Sequence, residues 1–304
     1  MITAKKGNNL YIHITNYKFS KSKCMNNSIY PCLTLKGKIT EAADFYINTF
    51  GEGRIRQTSP YVIQIELSGQ KFMLLNEGPS SSPNISISFM VISETPEESE
   101  AYWNKLVDGG KIMMPLDSYP WSSKYGWVED KYGVSWQINT SSKADTPQKF
   151  CPTLMFTGLN AGKAENAIDF YTALFPKSSI VGKLKYNEGE GDNIQFIKHA
   201  QFKLNDFIAM AMDSSAAHNA DFNDAVSLVV ECESQDEIDR YWDTLTSSGG
   251  KEVACGWLVD KFGISWQIIP KSLTELIKDP ARAQRVMAAL MKMKKLIIKD
   301  LESA

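Results

Sequence analysis

The chain switches repeatedly between two hydrophobic periods. Ile63, Ile65 and Leu67 alternate with Val62, Gln64, Glu66 and Ser68, a period of two that predicts a half-buried strand. Ser68-Gly69-Gln70 supplies a turn and "KFMLLN" the returning strand. Ahead of this hairpin Ala42, Phe45, Tyr46, Thr49 and Phe50 recur at helical spacing, with Thr40 as the expected N-cap. The strand "ISISFMV", the helix "PEESEAYWNKLVDGG" and further strands repeat the βαβββ form. After Pro270 the strand signals stop. The remaining residues predict two helices, with Pro280 opening the second. Val286, Met287, Leu290, Met293 and Ile297 form one apolar stripe, expected to pack on the domains or on a second subunit rather than on a membrane surface.

The pattern is written twice. "GWVEDKYGVSWQI" (Gly126–Ile138) and "GWLVDKFGISWQI" (Gly256–Ile268) agree at nine of thirteen positions, 130 residues apart. Working backwards, "AYWNKLVDGGK" answers "RYWDTLTSSGGK", and "LKGKITEAADFYINTF" answers "FTGLNAGKAENAIDFYTALF". Each copy is therefore a pair of βαβββ units, which predicts an α+β fold with helices on one face of a curved antiparallel sheet. The expected boundaries are a disordered arm over 1–28, copy one over 29–140, a polar linker over 141–149, copy two over 150–270 and helices over 271–304.

Composition narrows the function classes. A net charge of −2 offers no footprint for nucleic acid, and no apolar run approaches the ~20 residues that span a bilayer. The five cysteines are scattered without a CxxC pair, which favours a reducing, cytoplasmic setting.

Paired βαβββ units with a "DFY" helix and a terminal D-x-x-G-x-x-W-Q-I strand resemble the vicinal oxygen chelate (glyoxalase/bleomycin-resistance) superfamily. "MPLDSYPWSSKYGWVEDKYGVSWQI" and "ARAQRVMAALMKMKKL" resemble its PhnB-like group, often labelled 3-demethylubiquinone-9 3-methyltransferase. The resemblance implies tandem glyoxalase-like domains, four modules making two curved sheets, and a C-terminal helical tail. It implies cavities built from paired modules, within one chain as a monomer or across a homodimer. Superfamily members that act on substrates hold a divalent metal inside the sheet. Here the first-strand position usually occupied by His falls at Tyr30 and Cys151, and the last-strand Glu at Gln137 and Gln267. Asn76 and Asp213 are the mid-sheet candidates. Copy one therefore lacks a metal-ligand set. In copy two Cys151, His199, Asp213 and Gln267 are the alternative set for a divalent metal.

"IQFIKHAQFKL" places Ile197, His199 and Gln201 on one face by simple alternation. Gln64 matches Gln201 and Gln137 matches Gln267; these amides suit a neutral polar ligand or satisfy groups within the protein. Trp121 and Tyr125 lie in a ten-residue insertion of copy one, either a lid over that copy's cavity or an interdomain packing loop. The expected activity is binding of a small molecule without a metal. The alternatives are a metal-dependent lyase, isomerase or dioxygenase working from copy two, and the methyltransferase of the family label. No glycine-rich strand–loop–helix unit suited to a methyl donor occurs.

Overall fold

The structure is a computed structural model and describes residues 28–76, 81–142 and 145–304. The arm expected over 1–28 lies outside these residues, apart from Ser28.

Four modules follow in order. The first holds β1 (Ile29–Thr34), α1 (Ile39–Phe50), β2 (Gly53–Thr58), β3 (Val62–Leu67) and β4 (Gln70–Leu75). The second holds β5 (Ile87–Ser93), α2 (Pro96–Leu106), β6 (Lys111–Tyr119), β7 (Ser122–Glu129) and β8 (Ser135–Thr140). The third holds β9 (Phe150–Phe156), α3 (Ala164–Leu174), β10 (Ser179–Lys185), β11 (Ile197–Leu204) and β12 (Phe207–Asp213). The fourth holds β13 (Val226–Cys232), α4 (Gln235–Thr246), β14 (Lys251–Glu252), β15 (Trp257–Val259) and β16 (Ser265–Pro270). Three short helices end the chain: α5 (Leu273–Leu276), α6 (Pro280–Leu290) and α7 (Ile298–Glu302).

The modules do not pair copy by copy. One eight-stranded sheet, here sheet A, joins the first module to the fourth through β1 and β13; the other, sheet B, joins the second to the third through β5 and β9. Each sheet is mixed rather than purely antiparallel, because the first strand of every module runs parallel to its last. A βαβββ unit whose helix crosses over between its first and later strands allows that parallel pair.

Both sheets share one apolar core on their helix-bearing faces, where Trp136, Trp242 and Trp266 are fully buried. Strand alternation carries Leu33, Phe89, Leu154 and Leu228 into this core and turns their neighbours the other way. α1 begins at Ile39 with Lys38 as its N-cap and no side-chain cap bond, so Thr40 lies inside the helix. Thr95 and Ser234 do cap α2 and α4, each accepting from the backbone three residues on.

The duplicated signature is a clasp. Asp130 accepts from the Tyr132 and Val134 backbone N–H groups at 2.8 and 3.0 Å, closing the turn before β8. Its other oxygen accepts from Trp136 Nε1 at 2.8 Å and from the Tyr46 hydroxyl at 2.9 Å. Asp260, Phe262, Ile264, Trp266 and Tyr171 repeat the arrangement. Tyr46 rides on α1, which packs on sheet A, whereas Asp130 belongs to sheet B. Strand pairing therefore joins the two copies, and the Tyr–Asp–Trp clasp joins the two modules of one copy. Gly133 and Gly263 take positive φ of 83° and 93° in these turns, which explains the fixed glycine.

Candidate functional site

Each sheet turns the face opposite the module helices α1–α4 toward a cup. Across sheet A, Trp257, Gln267, Val229 and Tyr30 stand side by side, flanked by a second row of Ser227, Cys32, Met73 and Gln64. Across sheet B, the matching rows are Trp127, Gln137, Met90 and Cys151, then Ser88, Thr153, Met210 and Gln201. The amide pairs thus come from different copies: Gln64 shares a cup with Gln267, and Gln137 with Gln201.

The two cups differ in what covers them. Tyr30, Cys32, Met73, Val229 and Ile269 of sheet A pack against Leu276, Val286, Leu290, Leu296 and Leu301 of the C-terminal segment. The expected apolar stripe therefore plugs sheet A, although only part of it is buried: Val286 and Leu290 go in, while Met287 stays exposed. Under the plug Gln267 Nε2 donates to Ser227 Oγ at 3.0 Å. Burial pushes the Cys32 thiol up to about 12.

Among the described residues sheet B carries no such plug. Its floor is Met90, Ile92, Cys151, Ile208 and Met210, with Tyr125, Tyr119 and Met114 packed over one side. These three come from the β6–β7 hairpin, lengthened by the insertion. Tyr119 and Trp121 stack at 5.1 Å, Tyr125 meets both edge-on, and Trp121 is 61% exposed. The insertion therefore leans over a cup shared by both copies, not over a cavity of copy one. The Tyr125 hydroxyl donates to Gln137 Oε1 at 2.6 Å, and Gln137 Nε2 donates to Ser88 Oγ at 2.7 Å. At the linker, the Thr146 hydroxyl donates to Gln201 Oε1 at 3.1 Å, leaving Gln201 Nε2 without a partner among the described residues.

His199 stands beside Gln201 on the same face of β11. A β-bulge between β10 and β11 breaks the expected alternation, so Ile197 turns into the core with Ala200 while His199 faces the cup. Its imidazole has no hydrogen-bond partner among the described residues. Burial lowers its pKa below the ordinary value. The ring is neutral at pH 7, so one nitrogen donates and the other accepts.

Two expected site residues serve the backbone instead. Asp213 accepts from the Gly162, Ala164 and Ile197 N–H groups at 2.8, 3.1 and 2.9 Å, holding the start of α3. Asn76 accepts from Gly37 N–H and donates to the Pro60 carbonyl. Gln267 lies in sheet A, so Cys151, His199, Asp213 and Gln267 do not converge. Among the described residues no three His, Cys, Asp or Glu side chains are grouped to hold a metal. Cup B offers one imidazole, the amides of Gln137 and Gln201 and a thiol that burial raises; cup A offers the amides of Gln64 and Gln267, the Cys32 thiol, also raised by burial, and Tyr30, raised by burial and by Glu231. These donors do not fit a divalent cation. Sequence reasoning missed Met90, Met210 and Thr146, whose face and neighbours depend on the cross-copy pairing.

The model of the family described as 3-demethylubiquinone-9 3-methyltransferase matches residues 27–139 and again 148–269. Protein YjdN of Escherichia coli (strain K12) is 30% identical over 83 residues, 27% of this chain and 56% of that protein, so the match spans little more than half its length. Among solved structures, a PhnB protein from Bacillus cereus is 35% identical over 37% of this chain and 98% of its own, with a TM-score of 0.36. Glyoxalase I from Zea mays covers 81% of this chain and 93% of its own at 14% identity and a TM-score of 0.56, a likeness of fold. Glyoxalase-like in fold and matched along both of its copies, the chain belongs to the family described as 3-demethylubiquinone-9 3-methyltransferase.

Proposed function

We propose that the protein binds a small, flat, uncharged aromatic molecule bearing a carbonyl or hydroxyl oxygen, in the cup of sheet B and without a metal. One observation carries this reading: the His199 ring and Gln201 Nε2 have no partners among the described residues and stand side by side on a methionine-lined floor beneath an aromatic hairpin, where the neighbouring Gln137, Ser88 and Thr153 are paired within the protein. Unpaired polar groups in such a setting are costly unless a ligand meets them. Methionine adapts to a flat ring, and exposed Trp121 can close over it. Sheet A takes no ligand in this reading, because the chain's own C-terminal segment fills it. The molecule works as a monomer, since both sheets are completed within one chain. Its free cysteines suit a reducing compartment, and no described helix is long and apolar enough to cross a membrane.

The test is ligand-observed NMR with a panel of hydroxy- and acyl-benzenes against the full chain. Binding should weaken roughly tenfold in His199→Ala, the loss of one or two hydrogen bonds. Trp121→Ala should weaken it too while leaving the melting temperature nearly unchanged. Undiminished binding in both variants would place the ligand elsewhere.

A further inference from the structure

The two cups differ at matching positions. "YPCLT" (Tyr30–Thr34) answers "CPTLM" (Cys151–Met155), "FMLLN" (Phe72–Asn76) answers "AMAMD" (Ala209–Asp213), and "SLVVE" (Ser227–Glu231) answers "SFMVI" (Ser88–Ile92). Leu154, Ala209, Ala211 and Phe89 lie in the shared core, so strand alternation turns Met155, Met210, Met212 and Met90 to the face of cup B. The same places in sheet A hold Thr34, Met73, Leu75 and Val229. Methionine thus fills all of these places in sheet B and only one of them in sheet A. Met114 of the β6–β7 hairpin packs against the same floor.

This difference follows what covers each cup. Met73 and Val229 of sheet A lie in one apolar cluster with the buried leucines of the tail, and Leu75 packs against it. A permanent partner of fixed shape suits a stiff, β-branched side chain such as Val229. Among the described residues no tail segment lies over the floor of sheet B, yet Met90 and Met210 are only 8% and 3% exposed. They close that floor together with Tyr125, Cys151 and Ile208. Methionine is unbranched, turns about three bonds and carries a polarisable sulfur that meets aromatic rings favourably. A floor built of it makes room by rotating its own side chains and keeps its apolar contacts while doing so.

We infer that the cup of sheet B is a broad-range receptor. It takes uncharged aromatic molecules of one or two rings and differing outline, each needing only an oxygen that reaches His199 and Gln201, and its methionines reshape around each. The inference rests on the reading of this cup as the ligand site and adds the breadth of what enters it. The role that follows is the scavenging of a class of aromatic compounds rather than the recognition of one.

Positional isomers test this, because within a set only the outline of the molecule changes. The full chain is titrated calorimetrically with both acetylnaphthalenes and with ortho-, meta- and para-isopropylacetophenone. Affinities within each set should agree to better than the roughly tenfold that a single methylene is worth in a rigid apolar pocket. Met90→Leu with Met210→Leu keeps volume and apolarity but removes flexibility. That variant should split the isomers by more than about tenfold while the favoured one still binds. In the parent chain, carbon-13 labelled at the methionine methyls, the Met90 and Met210 signals should move differently with each isomer, while Met73 under the tail stays put. Isomers split by more than about tenfold in the parent, an unchanged spread in the leucine variant, or one common set of methyl shifts overturns the breadth and leaves the cup as the ligand site. Failure of every isomer to bind overturns the reading of the cup itself, and this inference with it. Should the leucine variant fail to fold, the parent's isomer spread and methyl shifts decide alone.

Discussion

Removing one hydroxyl from the Tyr–Asp–Trp clasp tests the structural reading of the duplicated signature. In Tyr46→Phe the Asp130 carboxylate keeps both backbone donors and Trp136 Nε1 but loses the 2.9 Å bond from α1. Asp130 is buried, and burial already pushes its carboxyl above the ordinary aspartate range, against the pull of its four donors. A hydrogen bond to a charged, buried acceptor contributes about 1.5–3 kcal/mol, and the lost oxygen leaves little void to add. Tyr46→Phe should therefore cost about 2 kcal/mol, read as a lower urea midpoint at unchanged slope. Tyr171→Phe should cost a similar amount, since Asp260 is held by the same four kinds of donor. The double variant should add within about 0.5 kcal/mol, because the clasps share no partner. Tyr61→Phe, at a position 57% exposed, is the control and should change stability by less than about 0.5 kcal/mol. If both clasp variants match that control, the signature is not held together by this hydrogen bond and the explanation fails.

Three further outcomes follow from the cups. Leu296 is fully buried between the tail and sheet A, so Leu296→Ala should cost about 2–5 kcal/mol by denaturant melt. His199 has a folded pKa below its unfolded value. Its contribution is present above the unfolded value of ~6.5 and lost as pH falls toward the folded one. His199→Gln should accordingly flatten the stability profile below pH ~6.5, measured by urea melts at several pH values. Cys32 and Cys151 are fully buried and burial raises both thiols, so a thiol reagent at pH ~8 should label them only on unfolding, with the part-exposed Cys255 reacting first among the four cysteines of the described residues.

Much of this was legible in the sequence because it rests on local periodicity. The four modules, the helical tail, the burial of Trp103, Trp136, Trp242 and Trp266, and the cup-facing direction of Gln137 and Gln267 all follow from periods of 2 and 3.6. Pairing did not follow. Nothing in the repeat says that the first module completes its sheet with the fourth, so Gln64 and Gln267 become neighbours only in three dimensions. Asn76 and Asp213 were expected in the cavity because they fall at the mid-sheet ligand position that the superfamily resemblance implies; both instead meet backbone N–H groups at a helix start. The bulge before His199 is a one-residue irregularity that strict alternation hides. The tail's destination was also hidden, since an apolar stripe fits any apolar partner, and here that partner is the chain's own second cup.

The central claim is that, of the two cups, that of sheet B receives a ligand and that of sheet A does not. Crystals soaked with a mixed set of small aromatic carbonyl and hydroxyl compounds test it most directly. The account predicts density over Met90 and Met210, beneath Trp121 and within hydrogen-bond reach of His199 and Gln201, with the tail still seated on sheet A. Density in sheet A with the tail displaced, and none in sheet B, would contradict it.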